Sequence, residues 1–174
     1  MFGKSLTVAI LLSLNLVSAG PIVKRSVLTD LQAVYSEVQV FDSAITSWNG
    51  QLLTALPLLN DVSTLETDIK TATTDTNNSA AFDDADSASI ATETQSLSTL
   101  ITKTLNDLVA QATKVKAVGL TSTVESSLEQ LKTLSDGLIT ALESKIESSY
   151  LPTATSIAAA IDSSFATAIA AFAS

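Results

Sequence analysis

Apolar side chains recur along this chain at the three- and four-residue intervals of a helix face, in five successive runs. In the first, from Val27 to Trp48, they fall at Leu31, Val34, Tyr35, Val38, Phe41, Ile45 and Trp48, one stripe of an amphipathic helix. Thr29 with Gln32 has the spacing of a capping box near its start, and Asn49-Gly50 ends the run where glycine most often follows a helix. The second run carries Leu52, Leu56, Leu59, Val62, Leu65 and Ile69. Pro57 within it means that the helix proper starts near Leu56 or bends there, because proline fits a first turn and disrupts an interior. The polar stretch Asp75 to Ser79 reads as a loop. Asp83, Asp84 and Asp86 then suit the positive end of a helix dipole. The third run holds Ile90, Leu97, Ile101, Leu105, Leu108, Ala112 and Val115, with Gly119 at its end. Ser122 and Glu125 form a capping-box pattern for the fourth, whose face is Val124, Leu128, Leu131, Leu134, Leu138, Leu142 and Ile146. Pro152 opens the fifth, with Ile157, Ile161, Phe165, Ile169 and Phe172.

Helices of roughly 20 residues would each be about 30 Å long. Equal lengths and short breaks predict an all-α fold, a single bundle of about five antiparallel helices around one core. No strand-period run competes with this reading. Gly137, inside the fourth run, is read first as a close helix contact and second as room left for a ligand.

Composition narrows what such a bundle can do. The 174 residues include no Cys and no His, which removes disulfides, thiolate or imidazole metal ligands and any nucleophile–His pair. No segment offers a Ser–Lys pair in their place. The carboxylate pairs Glu125/Glu129 and Glu143/Glu147 lie one turn apart and read as solvated helix faces. Asp75, Asn77, Ser79, Asp83 and Asp86 echo the spacing of a calcium loop, but Ala80 stands where that loop needs glycine and Asp86 where it needs a bidentate glutamate. No metal or other cofactor is expected, and the protein is read as non-catalytic.

The first residues have the form of a secretory signal peptide: Lys4, an apolar stretch Ser5–Val17, and small residues at Val17-Ser18-Ala19. The domain reading is therefore a signal peptide over 1–19, a short pro-segment over 20–25 ending at the dibasic pair Lys24-Arg25, and a bundle over 26–174. The apolar stretch is too short to span a bilayer, so no transmembrane segment is expected. The full chain has a net charge of −9. Starting at Ser26 it would carry six basic against eighteen acidic residues, a net of −12. So acidic a chain has no footprint for nucleic acid or anionic lipid surfaces.

The basic pair, the opening Val27-Leu28-Thr29-Asp30-Leu31, and the endings Ile157-Ala-Ala-Ala-Ile161-Asp162 and Ala168-Ile-Ala-Ala-Phe172 set in an Ala/Ser/Thr-rich bundle resemble the fungal hydrophobic surface-binding protein A family. That family also takes in antigenic cell-wall galactomannoproteins. The resemblance implies a secreted or wall-associated protein that adsorbs to hydrophobic surfaces or holds a fatty acid between its helices. Its partners would be a fatty acid or other apolar ligand, hydrophobic surfaces, and cell-wall polysaccharide. A structural mannoprotein without a specific small ligand is the alternative. For a lipid-holding core, the candidate lining is Val38, Phe41, Ile45, Leu105, Leu131, Leu138 and Phe165.

Asn77-Asn78-Ser79 is an N-glycosylation sequon in a chain with a secretory leader. We expect enzymatic removal of N-glycans to lower the mass of the secreted product, and Asn77→Gln to abolish that difference. An unchanged mass would show Asn77 to be unmodified.

Overall fold

The computed structural model describes residues 20–173, with side chains from Ser26 onward. The signal-peptide reading of residues 1–19 lies outside the described residues. Six helices follow one another: α1 (Gly20–Ser47), α2 (Leu56–Asn78), α3 (Asp84–Ala110), α4 (Ala112–Ala117), α5 (Thr121–Glu143) and α6 (Leu151–Phe172). Short 3-10 turns at Leu52–Ala55 and Ser148–Tyr150 lead into α2 and α6. No strand occurs among the described residues.

The helix ends follow local chemistry. Gly50 (φ +82°) and Gly119 (φ +75°) adopt the left-handed conformation that other residues resist, so the chain turns back after α1 and after α4. Pro57 and Pro152 sit in the first turns of α2 and α6, where their missing N–H costs nothing. The Asp83 carboxylate accepts from the Asp86 backbone N–H at 3.0 Å and caps α3.

Several local expectations change. The 75–78 stretch is not a loop: α2 continues through Asn78, and its last carbonyls, of Asn77 and Ser79, accept hydrogen bonds from the Lys145 ammonium at 3.1 and 2.8 Å. A cation placed there offsets the negative end of the helix. Asn77 remains exposed on that last turn. Thr29 lies well inside α1 rather than at its start. Ser122 does not cap α5, which begins at Thr121 behind Leu120 with no side-chain cap. The third run is two helices, because the backbone turns at Gln111 and sends α4 off on its own.

The five long helices form a closed ring. α1 packs on α2 and α3, α3 on α6, α6 on α5, and α5 on α2. Direction alternates along the chain, as short connections require. Two connections nevertheless cross the ends of the ring, so some ring neighbours run parallel. Asp42 of α1 and Trp48 just past its end meet Lys103 and Lys114 in the same order along the chain. Asp84 and Thr102 of α3 meet Tyr150 and Ser164 likewise. Cross-helix ion pairs fix these registers: Lys103 to Asp42 at 2.6 Å, and Lys132 of α5 to Asp162 of α6 at 2.5 Å. The bond from Lys132 holds the Asp162 carboxyl below the usual carboxylate range.

The stretch Ser148–Phe172 is long and apolar enough to cross a membrane by length and composition. Here it packs on α3 and α5 and buries Ile157, Ile161, Phe165, Ala168 and Phe172.

Gly137 makes neither of the contacts expected of it. It is exposed on α5, and a Cβ built there meets nothing within 4 Å. Alanine would therefore restrict the unfolded chain and improve helix propensity at no packing cost. Gly137→Ala should stabilise the protein by about 0.5–1 kcal/mol, measured by urea unfolding; a destabilised variant would show that α5 contacts something at that point.

Candidate functional site

The inner stripes of the five helices do not meet at the centre of the ring. They line an elongated cavity of about 110 Å³. On α1 its lining runs from Leu31 to Trp48, about 25 Å of helix. Leu65 and Ile69 of α2, Leu97 and Leu108 of α3, Leu128 and Leu142 of α5, and Ile161 of α6 complete most of the wall.

All seven residues proposed from the sequence, Val38, Phe41, Ile45, Leu105, Leu131, Leu138 and Phe165, stand in this wall. Each is buried. They come together because the same face of each helix that drives packing also points at the ring's axis.

The end of the cavity nearest Trp48 is closed by the crossing connection between α3 and α5. Val115 of α4 and Leu120 after it line the cavity there, with Gln111 at the turn between α3 and α4. At the opposite end the 79–83 connection passes beneath the bundle, where the Phe82 N–H donates to the Lys145 carbonyl at 2.8 Å and the Phe82 ring is buried. Val115 was read from the sequence only as part of a longer third helix, and Gln111 was not singled out. Gln111 lies three residues after Leu108 and four before Val115, on the inner stripe, and that spacing marks it as inward-facing.

Little of the wall is polar: Thr94, Thr104, Gln111, Ser127 and Ser135 are its polar residues. The Thr94 hydroxyl donates to the Ile90 carbonyl at 2.7 Å and the Thr104 hydroxyl to Asp42 at 3.2 Å. Left empty, the cavity costs about 2–3 kcal/mol, at roughly 24 cal/mol per Å³. The wall contains no ionisable side chain, so it has no group suited to acid–base chemistry. Among the described residues no three carboxylates are placed to share a cation. The calcium-loop spacing is divided between the last turn of α2 and the cap of α3.

At the corner between α1 and α2, Leu52, Leu53, Leu56 and Leu59 are exposed to solvent by 38 to 79%. These four make up most of the large apolar side chains that the described residues leave exposed. Leu59 also lines the cavity, so the exposed corner and the apolar interior share a wall.

The sequence model described as Hydrophobic surface binding protein A matches residues 25–144. The structure is similar to that of Afmp4p in complex with palmitic acid, with a TM-score of 0.85 and 30% sequence identity over 86% of this chain and 99% of that one. Ligand binding domain 1 of the Penicillium marneffei MP1 protein, complexed with arachidonic acids, is similar at a TM-score of 0.80 and 18% identity, covering 87% of this chain and 97% of that domain. Domain 2 of the same protein, complexed with multiple arachidonic acids, follows at 0.78 and 19%, covering 87% and 95%. At these identities the two MP1 domains speak for the fold alone. No curated protein sequence matches the chain.

Filling part of the space should stabilise the empty protein. Val38→Phe adds a ring where the wall is open, and should raise the thermal midpoint by about 2–4 °C for each kcal/mol of cavity cost removed. A lowered midpoint would mean that the space beside Val38 is already occupied.

Proposed function

Because the chain belongs to the hydrophobic surface binding protein A family, we propose that it is a secreted, non-catalytic carrier that holds a long-chain fatty acid between its helices. The observation that carries this reading is the apolar cavity along the ring's axis. Its relative Afmp4p, with which it shares 30% of its residues, is in complex with palmitic acid in a structure of the same fold. An alkyl chain entering the cavity recovers about 0.8 kcal/mol for each methylene taken from water, and removes the cost of empty space. That gain outlasts the ordering of the chain and the loss of its free translation.

Adsorption to hydrophobic surfaces is the second mode, and the exposed leucines of the α1–α2 corner favour it. Four exposed leucines within eight residues, with no charge between Asn49 and Asn60, form a patch that an apolar surface would cover. Elsewhere the acidic exterior keeps the protein in solution.

Titration of delipidated protein with a fluorescent fatty acid should show saturable binding, weakened at least tenfold by Val38→Phe. In parallel, hydrophobic beads should deplete the wild-type protein from solution more than a variant with Leu52, Leu53 and Leu56 changed to Ser. Absence of both effects would leave the structural reading, a wall mannoprotein associated with polysaccharide and without a specific ligand.

A further inference from the structure

The cavity wall holds one side-chain polar atom that is cut off from solvent and that the fold leaves without a partner. Gln111 Oε1 is cut off from solvent and makes no hydrogen bond, alone in this respect among the buried side-chain polar atoms of the described residues. Such an atom is costly in a folded protein, because it has lost water and gained nothing in return. The backbone around it is fully engaged: the Gln111 N–H donates to the Leu108 carbonyl at 3.0 Å, and the Gln111 carbonyl accepts from Lys114 and Val115 at 2.9 and 3.0 Å. Position 111 is thus fixed by the turn between α3 and α4, and only the side-chain amide remains available to something inside the cavity.

We propose that the Gln111 amide recognises the polar head of the bound alkyl chain, orienting a carboxylic acid or alcohol toward the α4 end of the bundle. This rests on the carrier reading above and specifies the chemistry of its ligand. A primary amide offers an acceptor oxygen and a donor NH2 side by side, and a half turn about its terminal bond exchanges them. It therefore completes hydrogen bonds with a head that donates and accepts together. A carboxylic acid does so through its O–H and C=O, and an alcohol through its single hydroxyl. An ester satisfies only the NH2 and leaves the oxygen orphaned, while a hydrocarbon satisfies neither.

The charge distribution agrees on which end takes the head. Residues 43–60 and 108–124 meet at the α4 end, where the Lys114 ammonium donates to the Trp48 carbonyl at 3.3 Å. Those two segments contain Lys114 and Lys116 and no acidic residue, in a chain with twice as many acidic as basic residues. The other end gathers Asp30, Asp75, Asp83, Asp84, Asp86, Glu143 and Glu147, on the first half of α1, the end of α2, the start of α3 and the end of α5 with the chain after it. Lys145 is the one cation of the described side chains set among them. An acid head is held at the α4 end in its neutral form, its O–H meeting the Gln111 oxygen, and that end places no carboxylate of residues 43–60 or 108–124 beside it. Of the hydroxyls in the wall, those of Thr94 and Thr104 are already engaged; those of Ser127 and Ser135 on α5 are the other polar groups a head could meet.

The test compares hexadecanoic acid, hexadecan-1-ol and methyl hexadecanoate as competitors of a fluorescent fatty acid on delipidated protein. The wild type should prefer acid and alcohol over ester by about tenfold, the usual scale for a buried polar group left unpaired by the wrong ligand. Gln111→Met, of similar length, should bind the ester at least as well as the wild type does, lose the preference, and melt no lower. Gln111→Glu, of the same size but acceptor-only when ionised, should keep the alcohol and reject the acid. A preference for acid over ester that survives in Gln111→Met, or a Gln111→Glu variant that binds acid as the wild type does, would overturn the assignment. Displacement by none of the three compounds would instead overturn the carrier reading itself, and the role of Gln111 with it.

Discussion

Helices packed side by side cannot bring their axes closer than about 8–10 Å, and the rest of this structure depends on that limit. At a spacing of about 9 Å, five helices in a ring have their axes about 7.7 Å from the centre, against about 6.4 Å for four. Ordinary aliphatic side chains fill the smaller space and leave the larger one partly open. Here the wall is made largely of Leu, Ile and Val, with aromatic rings only at Phe41, Trp48 and Phe165. The ring closes because α2 and α5 meet, although they are far apart in sequence. Once it has closed, the chain has few bulky residues with which to fill the middle.

Abundant Ser and Thr, which in another chain would suggest disorder, suit this architecture. Most of their hydroxyls turn back to the carbonyl one helical turn earlier, as Thr76 does to Ala72 at 2.6 Å while fully buried. Ser87, also fully buried, instead accepts from the Glu147 N–H at 3.0 Å and ties the start of α3 to the chain after α5. Polar composition is thereby hidden within the helices. Among the long-range polar contacts, the pairs Lys103 with Asp42, Lys132 with Asp162 and Gln130 with Glu66 hold neighbouring helices in register. The same residues that make the helices narrow enough to pack leave the interior to a few aliphatic rows.

Period and punctuation carried most of the fold in the sequence. The five stripes, the prolines at 57 and 152 and the glycines at 50 and 119 mark elements that form where they were expected. Capping patterns were poorer guides. Ser122-x-x-Glu125 lost to an earlier helix start at Thr121, and Asp75 to Asn78, polar enough for a loop, remained helical with Lys145, just past the end of α5, supplying the missing cap. The turn at Gln111 has neither glycine nor proline to announce it. It arises because the chain must cross the ring to reach α5, a tertiary demand with no local trace. The lining residues were legible for a related reason: an inward stripe is the same stripe whether its centre is filled or hollow. Hollowness itself depends on the number of helices in the ring and their order around it, which periodicity does not contain.

The empty axis also gives the protein a mechanical character. Space that side chains cannot reach in the folded state disappears when the chain unfolds and water meets every surface, so unfolding shrinks the system. Hydrostatic pressure therefore works against the vacant bundle in proportion to its void. A guest along the axis removes that handle, making the loaded form stiffer and less compressible than the vacant one. A bundle of this design is softest when its axis is unfilled, so its compressibility reads out how much of that axis is occupied.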